Sequence, residues 1–176
     1  PYPGGGLEPG VYSLGEPAPV SDHILDAREH HVQLFPGRDS TIDLENDRRP
    51  NLTVVKRDAD SGAPIADTVF LVEAADGHSV DEIRTGPDGT AVLENLLPGV
   101  YEISEKSVPS PYLMDAEPQL VTLYPNRDRT VYFENHKKPT LTAHKMDSIT
   151  GSPIQGAKIQ SRYGPNSTTT GELTDL

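Results

Sequence analysis

Short apolar runs that alternate with polar residues, separated by turn-forming clusters, dominate the chain. In NLTVVKRD, Leu52, Val54 and Lys56 fall on one face, because side chains of a strand alternate with period two. Tyr101, Ile103 and Glu105 share a face in PGVYEISEK, and Val131, Phe133 and Asn135 share one in TVYFEN. The pattern predicts strands over 51–57, 67–73, 79–84, 90–94, 99–106, 119–124 and 129–135. Between them lie DADSGAP, AADG, GPDG and LLPG, rich in residues that tolerate tight turns. No window keeps the apolar spacing of a long amphipathic helix. SDHILDAREHHV, Ser21 to Val32, comes nearest, but a segment of the same pattern downstream, SPYLMDAEPQLV, carries Pro118 in its interior. Proline breaks helices, so both segments are read as extended.

Those two segments belong to a repeat. Residues 12–46 and 101–135 share 13 identities in 35 positions without a gap, and 52–68 and 141–157 share 7 in 17, both at an offset of 89. The frame this sets is the back half of one module over 1–49, a whole module over 50–138 and the front half of another over 139–176. Basic pairs closed by proline, DRRP and HKKP, mark the junctions, and linkers this short favour a semi-rigid string. Seven short strands in one module predict an all-β, immunoglobulin-like sandwich.

The polar residues at the ends of apolar faces recur with the repeat. Lys56, Glu105 and Asn135 point inward in the whole module. Glu16 follows Tyr12 and Leu14, Asn46 follows Ile42 and Leu44, and Lys145 follows Leu141 and Ala143. The plain reading is that each sits where its strand reaches solvent. Three such residues recurring at a fixed period favour a second reading, because a buried ammonium or carboxylate needs a partner. Burial favours the neutral amine and the neutral carboxyl. A neutral lysine is a nucleophile, a carboxamide held beside it is an electrophile, and a carboxyl group moves protons between them as ammonia departs. That chemistry predicts an internal amide joining Lys56 to Asn135, with Glu105 as its one-time catalyst. Glu16 and Asn46 form a second set, and Lys145 is the amine of a third.

Composition narrows the alternatives. The 176 residues carry a net charge of −12, which offers no basic stripe for nucleic acid and no attraction to anionic membranes. No apolar run is long enough to span a bilayer, and neither a leader nor a sorting signal is evident. With no cysteine, disulfides and thiol chemistry are excluded. Asp58 and Asp60 in DADSG lack the later acidic ligands of a calcium loop and are read as a turn. His30 and His31 are adjacent and face opposite sides of a strand, so no metal site is expected and no cofactor is called for. Nothing has the spacing of a catalytic triad or a phosphate loop, so no turnover enzyme is predicted. Asn51-Leu52-Thr53 and Asn166-Ser167-Thr168 fit glycosylation sequons, relevant only to a eukaryotic source.

VVKRDADSGAPIADTVF, then PGVYEISEKSVPSPY and VYFEN, together resemble the B-type repeat domains of collagen-binding surface adhesins and the SpaA-type domains of Gram-positive pilins. The matching positions are Lys56, Asp58, Gly62, Pro64 and Ile65, then Pro98, Gly99, Tyr101, Glu105, Pro109 and Tyr112, and finally Asn135. The front half-module matches at Lys145, Asp147, Gly151, Pro153 and Ile154, and the back half-module at Pro9, Gly10, Tyr12, Glu16 and Asn46. The resemblance implies a prealbumin-like sandwich, Lys–Asn isopeptide bonds promoted by Glu, and a stalk or pilus-like role on a bacterial surface. Two departures stand out. Pro111 replaces a glycine of the family pattern, and Asn126 stands where a pilin would carry the lysine used for sortase polymerisation.

The expectation is therefore a structural, extracellular protein whose modules form a cross-linked stalk, fibre or filament. Its partners are adjacent repeats or further copies joined head to tail, with Lys145 of one copy meeting Glu16 and Asn46 of the next. The alternative is a ligand-binding adhesin or accessory module that contacts a host or matrix protein or a glycan. With no tryptophan and few other aromatic residues, the chain offers little surface for sugar stacking.

Overall fold

The computed structural model describes residues 6–77, 80–115, 117–162 and 170–172. It is built from strands, with no helix among the described residues. Residues 50–138 hold seven of them: β3 (Leu52–Asp58), β4 (Val69–Ala74), β5 (Val80–Arg84), β6 (Thr90–Leu93), β7 (Gly99–Ser107), β8 (Gln119–Leu123) and β9 (Arg129–Asn135). They form two sheets, one ordered β6-β3-β9 and the other β5-β4-β7-β8. Each predicted strand of this segment is present, with ends shifted by up to two residues.

The alternation seen in the sequence is what fills the space between the sheets. Leu52, Val54, Val131 and Phe133 come from one sheet, and Phe70, Val72, Tyr101, Ile103, Val121 and Leu123 from the other. Full burial of a Leu, Ile or Phe side chain is worth roughly 1.5–3 kcal/mol, so this layer is the main source of stability. Strand β3 runs antiparallel to β6 and parallel to β9, which makes it the centre of its sheet. Just before β6, the turn at Gly89 (φ +74°) closes on β3. A Cβ there would lie 2.5 Å from the Lys56 carbonyl oxygen, so only glycine fits.

Residues 6–49 repeat part of this plan. β1 (Gly10–Leu14) pairs with β2 (His30–Leu34) in the register Tyr12↔Val32, matching Tyr101↔Val121 in β7 and β8. The hydroxyl of Tyr12 donates to the Glu8 carbonyl at 2.9 Å, as Tyr101 does to Leu97 at 2.8 Å. Tyr12 and Leu14 are only half-buried, whereas Tyr101 and Ile103 are buried. The inward face expected of Ile42 and Leu44 is not found. Residues 41–46 form no strand, and both side chains are exposed. Their counterpart β9 is held by a parallel ladder to β3, and residues 6–49 supply no such neighbour.

The junction after this segment is bound on both sides. Asn126, at φ +60° in the turn after β8, donates its side-chain amide to Asp47 at 2.6 Å. Its Oδ1 accepts the Arg48 N–H at 2.7 Å, and its own N–H reaches the Arg48 carbonyl at 2.9 Å. Arg48 also pairs with Asp128 at 2.9 Å. Asn126 thus holds the preceding segment through its side chain and its backbone.

Residues 139–176 form a separate unit, which includes β10 (Gln160–Arg162) and β11 (Thr170–Glu172). Its opening turn copies that of the whole module. Ile154 N–H donates to the Lys145 carbonyl at 2.9 Å, as Ile65 does to Lys56 at 3.0 Å. Residues 141–145 form no strand, however, and Lys145 is exposed rather than inward-facing. A turn is satisfied locally, but a strand face is buried only when a second sheet covers it.

Candidate functional site

Lys56, Glu105 and Asn135 meet between the two sheets. Lys56 and Asn135 lie on the parallel neighbours β3 and β9, offset by two residues in register, and Glu105 faces them from β7. The lysine amine lies 2.7 Å from Glu105 Oε1 and donates to Asn135 Oδ1. Asn135 Nδ2 donates to Glu105 Oε2 at 2.9 Å. Lys56 has no exposed surface, and Asn135 is 2% exposed. The walls are apolar: Phe133 is the register partner of Lys56, Phe70 that of Glu105, and the two rings are 4.8 Å apart at 54°. Burial pushes the Lys56 amine below the ordinary lysine range, while the hydrogen bond and charge of Glu105 push it back up.

The arrangement holds an amine against a carboxamide oxygen with a carboxyl group in contact with both. Such positioning of reactants on rigid strands replaces a bimolecular encounter. Residues expected from the sequence to share this site do so within the whole module. In residues 6–49, Glu16 and Asn46 also pair, with Asn46 Nδ2 at 2.7 Å from both carboxylate oxygens, but the surroundings are only half-buried. Lys145 lies in the separate unit. Among the described residues, no group of His, Asp and Glu converges to hold a metal ion.

Two parts of the site were missed by the alternation pattern. One is Asp58, two residues beyond Lys56 on the same face of β3 and 1% exposed. It accepts the N–H groups of Asp60 at 3.0 Å and Ser61 at 2.8 Å, the Tyr112 hydroxyl at 2.9 Å and the Lys137 amine at 3.0 Å. The other is the loop after β7, whose Asp115 N–H donates to Glu105 Oε2 at 2.9 Å. Hydrogen bonds made by a backbone amide leave no residue-type signal. The Asp58–Tyr112 pair had only its place in the family motif to show it.

The Ser61 N–H, with Lys137 and Tyr112, holds the Asp58 carboxyl well below the usual carboxylate range. A carboxyl depressed in the folded state contributes stability above its unfolded value, here 3.8, and loses it as pH falls toward the folded value. Asp58→Asn is therefore expected to melt below the wild type at pH 7, and the gap is expected to close as pH falls from 4 to 2. Parallel melts across that range check it.

Residues 50–138 are thus an all-β sandwich of two sheets with a Lys–Glu–Asn cluster in its core. The comparison with known families agrees: residues 50–137, half of the chain, match the family described as SpaA, prealbumin-like fold domain. The chain belongs to this family. It is 30% identical over 110 residues to a collagen adhesin of Staphylococcus aureus, a match covering 59% of this chain and 9% of the adhesin. Among solved structures, the Bacillus anthracis TIE protein superposes with a TM-score of 0.52 at 22% identity, over 74% of this chain and 26% of that one. GBS52, a minor pilin of Streptococcus agalactiae, gives a TM-score of 0.48 at 21% identity, over 79% and 65% of the two chains. The chain thus spans less than a tenth of the curated relative it matches. It carries a prealbumin-like domain of the kind found in pilins and adhesins.

Proposed function

We propose that the chain is part of a load-bearing extracellular stalk or fibre of a Gram-positive surface, stabilised by a Lys56–Asn135 isopeptide bond. The observation that carries this reading is the contact of Lys56, Glu105 and Asn135 inside the buried core. The Lys56 ammonium passes a proton to Glu105, and the free amine attacks Asn135 Cγ. A C–N bond forms to Nζ. The nitrogen then returns a proton through Glu105 to Nδ2, and the Cγ–Nδ2 bond breaks to release ammonia. The product is a secondary amide, and the proton first taken from lysine stays on Glu105 or leaves with ammonia as ammonium. Glu105 acts once, so the module is not a turnover enzyme.

The bond would join β3 and β9, the first and last strands of residues 50–138, so a pull on the two ends bypasses the rest of the module. Residues 1–49 and 139–176 are, on this reading, parts of neighbouring repeats. Glu16 and Asn46 accept a lysine from an adjoining repeat or another copy joined head to tail, where the segment bearing Lys145 takes the place of β3 and becomes a strand on docking. Single-molecule pulling on residues 50–138 tests the mechanical role. Lys56→Ala is expected to release the 79 positions separating Lys56 from Asn135 as a step of about 28 nm. The wild type is expected to show no such step, and a step of that length in the wild type contradicts the reading.

A further inference from the structure

The loop joining β7 to β8 reaches into the Lys–Glu–Asn centre through its backbone. Glu105 Oε2 receives two N–H donors, Asn135 Nδ2 and Asp115 N, each at 2.9 Å. That leaves Oε1 for the Lys56 amine at 2.7 Å. The loop is tied down at several points. The Tyr112 hydroxyl donates to Asp58 Oδ2 at 2.9 Å, and Lys137, which also contacts that oxygen at 3.0 Å, lies 5.6 Å from the centre of the Tyr112 ring. Leu113 N–H donates to the His136 carbonyl at 2.9 Å, and Lys138 N–H to the Pro111 carbonyl at 2.8 Å. Asp58 is itself the register partner of Asn135. The tie therefore grips the ends of the two strands that carry the amine and the carboxamide.

The same backbone contact recurs in residues 6–49. Asp26 N–H donates to Glu16 Oε2 at 3.0 Å, ten residues after the glutamate, as Asp115 is after Glu105. Ile24 N–H to the Asp47 carbonyl and Arg49 N–H to the Asp22 carbonyl repeat the loop's ties, each at 2.8 Å. Residues 6–49 contain no lysine, so the loop delivers its N–H to the carboxylate without an amine of that segment to organise it.

We infer that the Asp115 N–H is a further working part of the isopeptide centre and that Tyr112, latched onto Asp58 and Lys137, is the positioning residue that holds it there. By saturating Oε2, the loop directs the remaining oxygen at Lys56 and covers the centre against water. This rests on the isopeptide reading, and the experiment separates the two. The full chain is made by cell-free synthesis, and its intact mass is followed with time. The Asp115 amide proton is followed by NMR in 15N-labelled protein.

Wild type is expected to lose ammonia and to show Asp115 shifted downfield by its carboxylate acceptor. Tyr112→Phe is expected to lose ammonia about tenfold more slowly, the factor that one hydrogen bond of roughly 1.4 kcal/mol supplies. Its Asp115 signal is expected to move upfield. A role confined to stability would lower the melting temperature while leaving the rate and the Asp115 signal unchanged, and that result overturns the inference. If Tyr112→Phe does not fold, Lys137→Met, changed at a half-exposed side chain, decides by the same two readouts. No ammonia loss from the wild type sinks the isopeptide reading itself.

Discussion

Glu105→Gln is expected to leave Lys56 and Asn135 unjoined, and the resulting module to melt on the order of 20 °C below the wild type. Glutamine keeps the size of the side chain and still reaches both neighbours, but it cannot take the lysine proton. The lost stabilisation is mostly that of a closed loop. A cross-link spanning 79 positions removes unfolded-state entropy worth about 4.5 kcal/mol on the chain-entropy treatment of disulfides. Each kcal/mol moves the midpoint of a domain this size by roughly 4–8 °C. Lys56→Met reaches the same end from the nucleophile's side, replacing a buried amine with an apolar chain of similar length. Calorimetry on the three proteins checks both. Equal midpoints for wild type and Glu105→Gln would mean that no covalent bond contributes.

Phe133→Ala is expected to lower stability by about 3–5 kcal/mol, the usual cost of emptying a packed aromatic site. Phe133 is 2% exposed and packs on Phe70. The substitution also removes part of the wall beside Lys56, so water reaches the amine and the drive toward its neutral form weakens. Slower ammonia loss is therefore expected along with the fall in stability. Val92→Ala, on an exposed position of β6, is the control and is expected to stay within about 0.5 kcal/mol. Denaturant titrations separate the two. A Phe133→Ala protein as stable as the control would show that the rings do not hold the two sheets together.

The seven strands of residues 50–138 were legible because each has at least one ladder partner and a second sheet facing it. There, alternation in the sequence and burial in the structure report the same face. The same alternation misled at Ile42 and Leu44 and over residues 141–145. Side-chain parity states which face would be buried, but a strand also needs a ladder partner and a covering sheet. Lys56, Glu105 and Asn135 were legible because a charged or amide side chain at the end of an apolar face is conspicuous. Asp115 was not, since it contributes only its N–H. Asn126 was conspicuous as a missing lysine, and its grip on Asp47 and Arg48 depends on a turn conformation that residue type alone does not specify.

Intact-mass spectrometry of the purified chain tests the central claim most directly. The Lys56–Asn135 bond predicts a mass about 17 Da below that of the sequence, one ammonia lost, with the full sequence mass restored in Lys56→Met after allowing for the substitution. Proteolysis of the wild type should yield a branched peptide joining the Lys56 and Asn135 segments. A wild-type chain at its full sequence mass, with those two segments released separately, would contradict it.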